Sequence, residues 1–252
     1  MTLADALIIG FAGVWAGMIN TIVGSGTLVT FPVLLALGFP PLTANVSNGL
    51  GLVPGSLTGA IGYRRELAGL RPRVLKLAVA SVLGALAGAA LLLSLPSSAF
   101  DAVVPVLIAL AVVLVIVQPF LARRLAARGG GVERTRVGPG LMAGTFGTGV
   151  YGGYFGAAQG VLLLALLGIA IDDDLQRHNA VKNVLAMLAN LVSGIVFAFV
   201  APVSWPVVGL IAVGAAIGGV IGARIGRRLP PVVLRGVIVV VGVAAIVQLL
   251  LR

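Results

Sequence analysis

Tyr63-Arg64-Arg65-Glu66-Leu67-Ala68-Gly69-Leu70-Arg71-Pro72-Arg73-Val74-Leu75-Lys76 is a basic stretch that passes directly into an apolar run reaching residue 95. A run of that length can cross the hydrocarbon core of a bilayer as a helix, and arginine and lysine beside it mark the side that stays in the cytoplasm. The same alternation continues along the chain. Sixteen of the 17 Lys and Arg residues fall into four clusters: Arg64 to Lys76; Arg123, Arg124, Arg128, Arg134 and Arg136; Arg177 and Lys182; and Arg224, Arg227, Arg228 and Arg235. Between and around them lie ten apolar segments, at 5–22, 24–38, 44–62, 74–95, 100–121, 138–152, 155–171, 179–200, 204–222 and 232–251. Counting crossings from an outside amino terminus puts every cluster in the cytoplasm and leaves Asp5, Asp101 and Arg252 outside.

Composition agrees with an all-α, polytopic membrane protein. Of the 252 residues 60% are hydrophobic and 10% charged, and the mean hydropathy is +1.17, outside the range of a water-soluble domain. The net charge of +10 sits in short loops between spans, where it suits anionic lipid rather than nucleic acid. There is no cysteine, which excludes disulfides and thiolate metal sites. Met1 to Gly10 holds Asp5 and no basic residue, so the first segment reads as structural and not as a cleaved signal.

The two halves are weakly alike. Gly10, Gly17, Gly26 and Gly38 recur 130 positions later as Gly140, Gly147, Gly156 and Gly168, and Asn45 falls opposite Asn179 after a short insertion. Five segments per half is an odd number, so the halves enter the bilayer from opposite sides. The expected organisation is a first membrane repeat at 1–121, a basic cytoplasmic linker at 122–137 and a second, inverted repeat at 138–252. Segments 5–22 and 24–38 are short and broken by glycine, and form either two thin spans or a re-entrant hairpin.

Breaks in apolar helices are where such proteins hold a substrate, because a helix restarting after the break points its positive dipole end into the gap. The first break runs from Asn20 to Thr27, with Pro32 beyond it; the second runs from Gly147 to Gly156, followed by Gln159. Small residues at such places also serve simple close packing of helices. Polar side chains accompany the breaks: Thr43, Asn45, Ser47 and Asn48 open the third segment, and His178, Asn179, Lys182, Asn183 and Asn190 lie in the eighth. Asn179, Lys182, Asn183 and Asn190 share one helical stripe by their spacing. Lys182 is either a snorkelling cytoplasmic anchor or the counter-charge of an anion, with amides and hydroxyls replacing its lost water. The candidate substrate-binding set is Gly24, Ser25, Gly26, Thr27, Asn45, Asn48, Gln159, Asn179, Lys182 and Asn183.

Asn20 through Pro32, Thr43 through Asn48, Val53 through Gly59 and Tyr63-Arg64-Arg65, with Asn179 through Asn183, Phe197-Ala198 and Val203-Ser204-Trp205, resemble the sulfite exporter TauE/SafE family over nearly the whole chain. That resemblance implies a permease of a bacterial or archaeal inner membrane for small sulfur-containing anions such as sulfite, sulfonates or sulfoacetate-like compounds.

Two other readings compete. Ser25 and the single histidine, His178, would be the nucleophile and base of an intramembrane serine hydrolase, although no third group stands ready to orient the base. A passive anion channel needs a continuous polar path. One histidine without cysteine does not compose a metal site, and Asp172-Asp173-Asp174 reads as a solvated turn before a helix. No nucleotide-binding glycine-lysine motif is present. The expectation is therefore a secondary transporter working by alternating access, not an enzyme and without cofactors. Its partners are a small anion and membrane lipid, with a homodimer open to it.

Overall fold

The computed structural model describes residues 1–127 and 137–225, with Val240 and Val243. Ten helices are described and no strand among those residues: α1 (Leu3–Ile22), α2 (Thr27–Ala36), α3 (Pro41–Gly51), α4 (Val53–Gly62), α5 (Arg71–Ser94), α6 (Ser97–Ala127), α7 (Pro139–Tyr154), α8 (Gln159–Ala170), α9 (Leu175–Val200) and α10 (Trp205–Ile225). The predicted segment 232–251 lies outside the described residues, apart from two isolated positions.

Among the described residues, five helices are long and apolar enough to cross a membrane: α1, α5, α6 over Ser97–Val117, α9 and α10. Their outward sides are apolar too, with Leu75, Val79 and Leu83 on α5 and Val213 and Ile217 on α10 exposed. That is the surface a bilayer requires and water would penalise.

Two predicted boundaries move, each for a local reason. The segment 44–62 is split into α3 and α4 at Leu52, where Pro54 enters the first turn of α4 and has no N–H to continue the α3 ladder. Residues 122–127, expected in the linker, continue α6 to Ala127. Alanine, leucine and arginine are good helix formers, and neither glycine nor proline stands between positions 122 and 127.

Packing depends on small residues that bring backbones together. Along α1 and α10, Gly13 meets Ile211, Gly17 meets Ala215, Gly218 meets Val14 and Gly222 meets Met18. The numbers rise together, so the two helices run parallel. Along α5 and α7, Gly149 meets Ser81, Gly153 meets Ala85 and Gly88 meets Val150, again in parallel. Helix α4 lies parallel to α10, through Gly55 on Ala215 and Gly62 on Ala223. Helix α9 runs with α5, through Arg73 to Asp173 and Ser81 to Leu185. Along α3 and α4 the sense is reversed: Ser47 bonds Ser204, Leu50 packs on Gly194 and Tyr63 on Ala180. Helices α1, α4 and α10 therefore point one way and α5, α7 and α9 the other.

Each break turns the chain back. After α1, Gly26 lies against Ala16, and Thr30, Val33 and Leu34 share a crevice with Ile9 and Ala12, so α2 returns along α1. After α7, Leu166 packs on Gly144, and Leu163 and Leu167 join Leu141 in one apolar cluster, so α8 returns along α7. Both turns use the same device. Gly24 and Gly156 adopt left-handed φ of 89° and 75°, and their N–H groups bond back to Ile19 O at 3.1 Å and Tyr151 O at 3.0 Å. That is a helix stop only glycine adopts without strain. By role the breaks are 132 positions apart (156 − 24), not the 130 of the glycine spacing, and Gly156 matches Gly24 rather than Gly26.

Candidate functional site

The tips of the two hairpins touch. Gly160, in the first turn of α8, donates its N–H to Gly24 O at 3.1 Å, and a Cβ on Gly160 would stand 2.5 Å from the Gly24 Cα. Backbone approach this close leaves no space for a side chain on either tip.

Around the contact the starts of α2 and α8 leave main-chain donors without acceptors. Among the described residues, the N–H groups of Ser25, Gly26, Thr27, Ala157 and Ala158 have no hydrogen-bond partner. Two buried side chains add to them: Ser25 Oγ and Gln159 Nε2 are also unpartnered, in residues only 1% and 2% exposed. Buried polar atoms are seldom left this way, and here all of them can donate. The side chain of Gln159 folds over Gly152, close to where a Cβ there would sit.

Lys182 comes to the first break from α9 and is fully buried. Its Nζ donates to Asn20 O at 3.1 Å and Thr21 O at 2.9 Å, and Asn183 Nδ2 donates to Thr21 O at 3.4 Å. These carbonyls end α1, four residues ahead of the unpaired donors of α2. The snorkelling alternative therefore does not hold, because the amine turns inward to a helix end. The end of α7 is met in the same fashion, by Asn45 Nδ2 on Tyr154 O at 3.0 Å. Asn48 secures the start of α2: its Nδ2 donates to Thr27 Oγ1 at 3.1 Å, and its Oδ1 accepts from Thr30 Oγ1.

The predicted stripe on α9 divides between the two breaks. Lys182 and Asn183 go to the end of α1, whereas Asn190 and Ser193 line a crevice with Thr27, Asn45 and the 152–156 break. Asn179 is buried with Oδ1 unpartnered. The crevice has room for about one water molecule. On its far side Phe155 stacks edge-on with Phe31, centroids 5.2 Å apart, and Phe100 packs on Tyr154 and Phe155.

Residues that side-chain reasoning missed are those acting through their backbone or their smallness: the carbonyls of Asn20 and Thr21, and Gly160. Their only signal is position, at the end of one apolar run and the start of another. For the hydrolase reading, Ser25 Oγ and His178 Nε2 hydrogen-bond neither to each other nor to another group. The nucleophile and base are not paired.

At the end where the basic residues gather, Asp173 accepts from Arg73 Nη1 at 2.7 Å and lies 3.3 Å from Arg177 Nη1, while Arg177 Nη2 donates to Ala68 O. Partial burial raises the Asp173 carboxyl, but the Arg73 hydrogen bond, the Asp174 N–H and both guanidiniums outweigh it and hold the group below its ordinary value.

Residues 9–249 match the sulfite exporter TauE/SafE family. The chain is 26% identical over 206 residues to the probable membrane transporter protein YfcA of Escherichia coli K12, covering 81% of this chain and 74% of that one. It is 27% identical over 238 residues to the probable membrane transporter protein ORF9 of a Sinorhizobium species, covering 93% and 88%. A probable membrane transporter protein of Haemophilus influenzae is 26% identical over 208 residues, 81% and 77% of the two chains. The match runs through both breaks and every described helix, and the chain belongs to the sulfite exporter TauE/SafE family as a multi-pass membrane transporter.

Proposed function

We propose that the protein is a secondary carrier of small sulfur-containing anions, sulfite or a sulfonate, and that the anion sits where the two hairpin tips meet. The observation that carries this is the set of donors at that junction: five main-chain N–H groups, Ser25 Oγ and Gln159 Nε2. An oxyanion supplies the acceptors they lack, and two helix starts add their positive dipole ends. Lys182 contributes the unit charge. Among the described residues its partners are carbonyls and not a carboxylate, so the ammonium is held in place while its charge is not cancelled.

The carrier is built as an inverted repeat. The opposed directions of α1 and α7, the identical glycine stops and the reciprocal pairing of α1 with α10 and α7 with α5 support that reading. It makes each broken pair a re-entrant hairpin, one entering from each face. The amino terminus lies outside the inner membrane of a bacterial cell, with the Arg73, Asp173 and Arg177 cluster facing the cytoplasm. The crevice beside the junction, lined by Thr27, Asn45 and the 152–156 break, has room for about one water molecule, which supports alternating access over an open pore. No chemical step is required of Ser25.

The test is calorimetric titration of the purified protein with sulfite, thiosulfate, methanesulfonate and acetate. The wild type binds at least one sulfur oxyanion more tightly than acetate. Lys182→Met weakens it about a hundredfold, the cost of losing a charged partner in a buried site. If none of these anions binds, or the variant binds as tightly, the proposal fails.

A further inference from the structure

Asn20 and Thr21 end α1, and the amides that would extend the helix are directed elsewhere. The Gly24 N–H turns back to Ile19 O, and the Ser25 N–H has no acceptor. Bare carbonyls at a helix end carry the negative pole of its dipole, roughly half an elementary charge, and in water they would be hydrated. Here water is replaced chiefly by one cation, with Asn183 Nδ2 a longer second donor to Thr21 O at 3.4 Å. The Lys182 ammonium takes both carbonyls at 3.1 and 2.9 Å, its residue fully buried, and among the described residues it forms no ion pair with a carboxylate. Its stem reaches that position past Gly160, where a Cβ would lie 3.0 Å from Lys182 Cδ. One side chain of α9 thus passes the start of α8 to close the end of α1.

Carbonyl oxygens at the end of a broken membrane helix are the ligands with which secondary transporters hold sodium beside an anionic substrate. We propose that the end of α1 is a monovalent-cation site which the Lys182 ammonium fills permanently, so that this carrier holds a covalently tethered co-ion and binds its anion without sodium. The inference rests on the anion reading above and extends it: the charge partnering the anion belongs to the protein instead of arriving from solution.

Removing the amine leaves Asn20 O buried and bare and Thr21 O with only the 3.4 Å bond from Asn183 Nδ2, and a free cation of the same charge then restores them. Lys182→Ala retains Cβ and vacates the space of three carbons and a nitrogen, the outline of propylammonium. The experiment measures methanesulfonate binding by full-length protein in detergent, in N-methylglucamine gluconate with or without sodium, potassium or propylammonium. Wild-type affinity is the same in every cation. Lys182→Ala loses about a hundredfold in N-methylglucamine and recovers tenfold or more with sodium or propylammonium. Lys182→Gln, which fills the space with a neutral donor, loses affinity and is not rescued; it carries the test if the alanine variant does not fold.

A sodium requirement in the wild type overturns the tethered co-ion, as does a Lys182→Ala protein that no cation rescues while the wild type binds normally. Failure of the wild type to bind methanesulfonate or any other sulfur oxyanion sinks the anion reading itself, a separate outcome.

Discussion

Ser25 and Gly160 do opposite things at the hairpin tips, and two substitutions separate them. The Ser25 hydroxyl is buried and unpartnered, so Ser25→Ala removes a group that stabilises nothing in the empty protein. Thermal stability is unchanged or rises, while anion affinity falls about three- to tenfold, the net worth of one hydrogen bond. Gly160→Ala places a methyl 2.5 Å from the Gly24 Cα, a backbone atom that cannot move aside. The tips separate, transport is lost and stability drops by about 1 to 3 kcal/mol, read from the melting temperature and an uptake assay. Retained uptake in Gly160→Ala would disprove the need for tip contact. Ser25 and Lys182 were legible in the sequence because a hydroxyl or an amine inside an apolar run demands a reason. The partners of Lys182 were not, since they are main-chain oxygens 162 and 161 positions away that no side-chain pattern marks.

Apolar length revealed the helices, but not how they lie against each other. Hydropathy gives a run its span and says nothing of direction or neighbour, and α2 doubles back only because Gly24 takes a φ of 89°. The glycines of α7 show which small residues decide packing. Gly153 lies on the backbone of Ala85, whereas Gly147 has nothing within 4 Å of an added Cβ. Gly153→Val therefore forces α5 and α7 apart and destabilises the protein by about 1 to 3 kcal/mol. Gly147→Val leaves the melting temperature where it was or raises it slightly, because valine disfavours a helix less than glycine does. Equal effects of the two would mean that contact between α5 and α7 does not hold the fold. Gly147 had been matched to Gly17 by spacing alone, yet Gly17 is pressed against Ala215 and Gly147 is free, so spacing did not distinguish a packed glycine from an open one.

Across the whole molecule, charge ties distant segments together: two of the four basic clusters meet at one end, where Asp173 joins Arg73 of α5 to Arg177 of α9. Because the folded carboxyl is held below its ordinary value of 3.8, its contribution is complete above that pH and disappears as pH falls through the lowered folded value. Asp173→Asn therefore costs about 1 kcal/mol at pH 7, and the difference from wild type vanishes in melting curves taken well below pH 4. An equal difference at both pH values would place the cause outside the ion pairs.

That end must also face the cytoplasm if the orientation is right, and α5 gives a ruler for it. Its 24 residues span about 36 Å, so Ala68 before it and Ser98 after it belong to opposite sides of the membrane. The chain has no cysteine, so any introduced thiol is the only one present, and both positions are exposed. In intact cells a membrane-impermeant maleimide labels Ser98→Cys and reaches Ala68→Cys only after permeabilisation. The reverse pattern would turn the protein over. Labelling of both from one side would contradict α5 as a full crossing, and with it the opposed hairpins on which the anion site depends.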